Sequence, residues 1–146
     1  MNVFAIDPGA HAGWAVGSIA QGVQAAGAGN PPPLRVRVDA IVIERPVIRP
    51  GVDGNSILTL AINVGRWVER YKDWGPLYLV PPSSWKAGSK TVHHAAVRKL
   101  LDSRELRVWD ALKTHDARDA MALCHWALKL LRVAPPALAV HAYTPT

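Results

Sequence analysis

Cysteine is nearly missing from this chain of 146 residues: Cys124 stands alone, so no disulfide can form within it. That fits a reducing compartment. Acids are scarce too, 11 against 17 lysines and arginines, which leaves a formal charge of +6 and a pI near 9.9. A balance of that sign favours a polyanionic partner, although charge alone does not single one out. No apolar run approaches the roughly 20 residues of a membrane span. The opening residues carry no basic leader, and Asp7 arrives too early for a secretory signal. A soluble, intracellular protein of one domain is expected. No internal repeat is visible and no phosphate loop of the Walker type is present. Six histidines occur, but none is spaced with another or with Cys124 as a zinc site would be. His93 and His94 are adjacent, so a helix would spread them apart, and both are expected at the surface.

What is present is a series of short apolar runs, each stopped by proline, glycine or an acid. Residues 3–6 are wholly apolar and end at Asp7-Pro8-Gly9, as suits a strand buried on both faces followed by a forced turn. Residues 13–20 and 23–28 read as a hairpin turning at Gln21-Gly22. A proline-rich loop follows, and residues 38–43 form another buried-strand run that stops at Glu44. Residues 45–55, with Arg45-Pro46, Arg49-Pro50, Gly51 and Gly54, form a loop. Ser56 is a candidate helix cap, and Ile57, Leu60, Ala61, Val64, Trp67, Val68 and Tyr71 then recur at helical spacing. Gly75-Pro76 ends that helix, residues 77–80 form a further strand, and Ser89 opens a helix carrying Val92, Ala96 and Leu100. Residues 102–113 carry no clear signal. Thr114 caps a last helix reaching about Arg132, and residues 133–146 read as an extended or disordered tail. Strands joined by hairpins, then strands separated by helices, describe a mixed α/β sheet with packed helices.

The chemistry concentrates in four acids. Asp7 and Glu44 each stand where a buried strand stops, at the sheet edge where open α/β sheets bind ligands; strands also end in polar residues for no functional reason. At 100° per residue the last helix collects Ala120, Leu123, Ala127, Leu130 and Leu131 on one face and Arg118, His125 and Lys129 on the other. Asp116 and Asp119 fall with the apolar side. Acids in a first turn complement the helix dipole, which explains their position along the axis but not their direction. Unpaired buried carboxylates are costly, and no buried lysine is evident to match them. A cation held by oxygen alone is therefore expected, Mg²⁺ or Mn²⁺ rather than zinc. His115 adjoins the acids and reads as a neighbour of the cap.

Phe4-Ala5-Ile6-Asp7-Pro8-Gly9, followed by Gly13 and a strand, resembles the opening of the RuvC family of Holliday junction resolvases. Ile41-Val42-Ile43-Glu44 resembles its second acid-ended strand. Asp116-Ala117-Arg118-Asp119-Ala120-Met121-Ala122 resembles its last motif, two acids three apart before an alanine-rich helix. Ser84-Trp85-Lys86 and Lys90 look like its basic stretch after the fifth strand, and the segment from Ser56 to Trp67 like its first long helix. The likeness runs from residue 3 to about 130, so that residues 1–132 make one nuclease domain. Each motif is weak alone; their shared order and spacing is more specific.

The resemblance implies an RNase H-like fold: a five-stranded mixed sheet, first strand central, with helices on both faces and the acids meeting where the last helix crosses the first and fourth strands. It implies a structure-selective endonuclease that hydrolyses phosphodiesters with two divalent metals held by Asp7, Glu44, Asp116 and Asp119, with Asp7 bridging. Lys90, and with less support Lys86, would neutralise the phosphate. Arg35, Arg37, Arg45 and Arg49 are candidates for backbone contacts on branched DNA. Resolving a four-way junction needs two symmetric cuts, hence a homodimer, with Trp67 and the first helix as candidate contacts. A cytoplasmic protein, bacterial or phage-encoded, is expected. The short segment before Glu44 and the long Arg-Pro loop after it depart from the family pattern. A nuclease acting on other branched DNA or on RNA–DNA hybrid remains open, as does a non-catalytic junction-binding module. An actin-like phosphotransferase fragment is disfavoured by length and by the lack of a second phosphate loop. The six tryptophans are assigned to the core by default.

Overall fold

Period-two alternation along β1 (Asn2–Asp7) and β4 (Ala40–Glu44) builds the protein, which a computed structural model describes over residues 1–145. The other strands are β2 (Gly13–Ser18), β3 (Gly22–Ala28) and β5 (Leu77–Val80). They form one sheet in the order β3-β2-β1-β4-β5, with β1, β2 and β3 antiparallel in succession and β4 and β5 parallel to β1 and to each other. The fold is RNase H-like, with the first strand central.

Helices cover both faces. Phe4 and Ile6 of β1, with Ile41 and Ile43 of β4, pack under Val64, Val68 and Tyr71 of α1 (Gly54–Tyr71). Val3, Ala5, Ala40 and Val42 project the other way, beneath α2 (Lys90–Arg98), α3 (Ser103–Ala111) and above all α4 (His115–Val133). Each fully buried Phe or Ile contributes about 2–3 kcal/mol through apolar surface removed from water. The α4 face of the sheet is lined by small side chains, so that helix lies close. At Gly13 the approach is closest: a Cβ there would stand 1.8 Å from the main-chain oxygen of Asp116. No helix among the described residues is long and apolar enough to cross a membrane.

Several sequence expectations are corrected. The first helix is capped by Asp53, whose side chain accepts from the Ser56 N–H, so it begins two residues before Ser56. Residues 102–113, which gave no signal, contain α3. It opens on a capping box in which Asp102 accepts from the Glu105 N–H and Glu105 accepts from the Asp102 N–H. The tail is not extended as a whole. A short helix α5 (Pro136–Ala139) buries Leu138, and the His141 carbonyl, Ala142 and the Tyr143 N–H pair with β5, covering its open edge. Residue 146 lies outside the described residues. Trp85 and Trp109 are buried and Trp14, Trp67 and Trp126 pack partly against the core, whereas Trp74 is substantially exposed.

Candidate active site

The parity of the strands aims two carboxylates at α4. Asp7 continues the series Val3, Ala5; Glu44 continues Ala40, Val42. The parallel register runs from Val3 beside Ala40 to Ile6 beside Ile43, so the next step sets Asp7 next to Glu44. Asp119, on the second turn of α4, is 2 % exposed and faces the same place. Asp116, one turn earlier, is half-buried over the turn after β1: the His11 N–H donates to its Oδ2 at 3.4 Å, and a Cβ on Gly9 would touch its carboxylate at 2.9 Å. Glycine at 9 and 13 thus admits the first turn of α4. The two helical acids differ, Asp119 sealed and Asp116 partly open, where the sequence placed both toward the core.

Burial, followed by the charge of Glu44, pushes the Asp7 carboxyl up to about 8, with Asp119 and Asp116 adding to the rise and Lys86 opposing it. At neutral pH it therefore keeps its proton unless a cation arrives. Burial also raises Glu44, against the pull of Lys86. The sequence offered no lysine to match the acids, but the half-buried Lys86 does so. Lys86 places its Nζ 2.9 Å from Glu44 Oε2 and 2.8 Å from Asp119 Oδ2. The reason is local: the single 3₁₀ turn Pro82–Ser84 folds the chain back, packs Trp85 into the core and turns Lys86 onto the acids, its ammonium 4.6 Å from the Trp85 ring centroid. Burial acts to lower the Lys86 ammonium, but Glu44 and Asp119 together hold it above its ordinary value. Asp119 is likewise held below the usual carboxylate range: burial works to raise it and is overcome by Lys86 and His94.

His94 is the residue that sequence reasoning missed. It is buried, not at the surface, and its Nε2 lies 2.6 Å from Asp119 Oδ1. His93 is buried as well, edge-on to Trp85, with its Nδ1 accepting from the Ala87 N–H. Both are enclosed because α2 sits between α4 and the 81–89 loop, so its adjacent residues meet different walls. The available signal was spacing: His94 lies one turn after Lys90, on the same side of α2.

A cleft of about 370 Å³ opens beside the acids, lined by Glu44, Arg49, Lys86, Ser89, Lys90 and Asp119 among others. Lys90 and Arg49 are thus brought to the site. Arg45 is not: its N–H bonds the Val80 carbonyl, and its charge reaches His141 beyond β5. Arg35 and Arg37 lie in the exposed loop entering β4 at its other end, roughly 13 Å of strand from Glu44.

The donor set suits a hard divalent cation: Asp7, Glu44, Asp116 and Asp119 offer carboxylate oxygen alone. Among the described residues no three such side chains already converge on one ligating point. Lys86 supplies the positive charge instead.

The same architecture is found in solved proteins. RuvC from Thermus thermophilus in complex with a Holliday junction substrate matches with a TM-score of 0.70 and 17% identity, over 92% of this chain and 96% of that one. The chain has the RuvC fold. A second Thermus thermophilus RuvC structure matches with a TM-score of 0.58 and 18% identity, over 97% and 98% of the two chains. No protein-family model matches the sequence, and no curated protein matches it significantly.

Proposed function

We propose that this protein is a metal-dependent endonuclease of the RuvC kind, cutting branched DNA and above all four-way junctions. The observation that carries the reading is the Asp7 carboxyl, buried among Glu44, Asp119 and Asp116 and pushed up to about 8. A protein gains no stability from packing four acids together; a site that takes up cations needs them. Asp7, Glu44, Asp116 and Asp119 would hold Mg²⁺ or Mn²⁺, two per site, which when bound supply an activated water and charge for the departing 3′ oxygen.

The chain's own residues do the rest. Lys90 stands at the first position of α2, where a cation opposes the helix dipole. An anionic phosphate at that N-terminus turns the conflict into an attraction. Arg49, across the cleft, gives a second contact to the backbone. Lys86, paired with Glu44 and Asp119, would be available to the substrate phosphate if cations neutralised those acids. A twofold dimer would supply two such sites, and Leu58 and Ile62, exposed one turn apart on α1, offer apolar surface for it.

The test is a substrate panel: an end-labelled mobile four-way junction, a matched linear duplex and an RNA–DNA hybrid, each with Mg²⁺, Mn²⁺ or EDTA. Paired symmetric nicks in the junction alone support the reading. Cutting confined to the hybrid moves the substrate and keeps the metal site. Junction binding without cutting of any substrate rejects the nuclease and leaves a binding module.

A further inference from the structure

Asp119 has both oxygens engaged, by two groups of different character. Oδ2 faces the ammonium of Lys86 at 2.8 Å, and Oδ1 faces Nε2 of His94 at 2.6 Å. Lys86 is half-buried on a flexible four-carbon stem and lines the open cleft. His94 is walled in. Trp109 meets its ring edge-on at a centroid distance of 5.5 Å and 88°, His115 stacks on it at 5.6 Å and 23°, and His93 lies at 5.9 Å. Of the two partners, only Lys86 can leave without repacking the core. An ionised carboxylate only accepts, so the hydrogen of this bond belongs to the imidazole.

We propose that His94 is a positioning residue: it anchors Oδ1 of Asp119 so that Oδ2 alone is presented when Lys86 gives way to a metal ion. The inference rests on the metal-site reading above and adds a part to it. A carboxylate free to rotate would alternate its oxygens and lose entropy on ligation; one pinned on a buried donor is already oriented. The same bond ties α2 to α4. Lys90 lies one turn before His94 on α2, so the contact that orients the metal-side carboxylate also fixes the helix carrying the phosphate-side lysine. Metal and substrate contacts then share one rigid unit.

His94→Leu removes the donor and keeps the bulk. His94→Gln retains a side-chain N–H that reaches the place of Nε2, whereas His94→Asn retains an amide too short to reach. Each full-length variant is titrated with Mn²⁺ alone, following the rise in Tm, and then assayed for single-turnover cutting of the four-way junction. His94→Leu and His94→Asn should bind Mn²⁺ about 10–100-fold more weakly than the wild type. His94→Gln should recover most of the loss. If His94→Leu does not fold, the contrast between Gln and Asn carries the same test. Equal Mn²⁺ affinity in the wild type and the variants, with the wild type responding and cutting, overturns the positioning role and spares the metal site. Equal impairment of Gln and Asn likewise overturns it, because packing rather than the hydrogen bond would then matter. A wild type with no response to Mn²⁺ overturns both readings.

Discussion

Replacing Asp7 by Asn should stabilise the metal-free protein, and by an amount that depends on pH. The unfolded carboxyl titrates near 3.8 and the folded one near 8. Between those values the folded state keeps a proton that the unfolded state has lost, so wild-type stability falls as pH rises from about 4 to about 8 and levels off above. At 1.36 kcal/mol per pH unit the full span is worth roughly 5–6 kcal/mol. Water drawn to the ionised group returns part of it, leaving about 2–4 kcal/mol. Asparagine carries no such charge and keeps an oxygen for the Gly9 N–H, which donates to Asp7 Oδ1 at 3.1 Å. Thermal unfolding in EDTA across pH 4–9 should show equal Tm for the two proteins near pH 4. The variant should pull ahead by about 5–10 °C above pH 8. Saturating Mn²⁺ should reverse the order, raising the wild type and leaving the variant unmoved. A wild type as stable as the variant at pH 8.5 in EDTA would mean that Asp7 is not crowded by its neighbours, and the reasoning would fail.

Further outcomes follow from other parts of the molecule. Burial acts to raise Glu105, but hydrogen bonds from His125 and from the Val23 and Asp102 N–H groups hold it at about 2. Its contribution is complete above pH 4.5 and is lost as pH falls towards 2, so Glu105→Gln should cost about 2–3 kcal/mol near neutrality and less in acid, read by denaturant unfolding. Gly13→Ala must push α4 away from β2, and should lower stability by about 2–4 kcal/mol and abolish cutting. Gly9→Ala meets only the Asp116 carboxylate, and should reduce cutting at least tenfold with a change in Tm of a few degrees at most. Lys90→Ala should weaken junction binding and shallow its salt dependence by about one phosphate contact, measured by titration at several salt concentrations, whereas Arg35→Ala should change neither.

The strands were legible because short apolar runs stop at proline, glycine or an acid, whereas the meeting of the acids was implied by the family resemblance and only suggested by periodicity. In the folded chain Asp7 and Glu44 fall on the same strand parity. The helical period likewise separates Asp119 from Arg118 and His125. What stayed hidden depends on where the chain turns back. Nothing in Trp85-Lys86 shows that a 3₁₀ turn will aim the lysine at two acids, since the same residues on an exposed loop read as a phosphate contact. His93 and His94 looked external because adjacent helical residues diverge; two different walls around α2 bury both. Arg35, Arg37 and Arg45 were named as candidates for DNA-backbone contacts by charge alone, and the loop before β4 carries the first two to the end of the sheet away from the acids. Residues 102–113 gave no clear reading, although Leu106, Trp109 and Leu112 recur every third residue and Asp102 and Glu105 hold a capping box three residues apart.

Cutting of one four-way junction by the wild type and by Asp7→Asn, with Mg²⁺ and with EDTA, is the most direct test of the central claim that these acids act through a metal on DNA. The account expects symmetric nicks from the wild type with Mg²⁺, none with EDTA, and a loss of at least a thousandfold in the variant, which should still bind the junction. Nicking that persists in EDTA, or an Asp7→Asn protein that cuts as fast as the wild type, would contradict it.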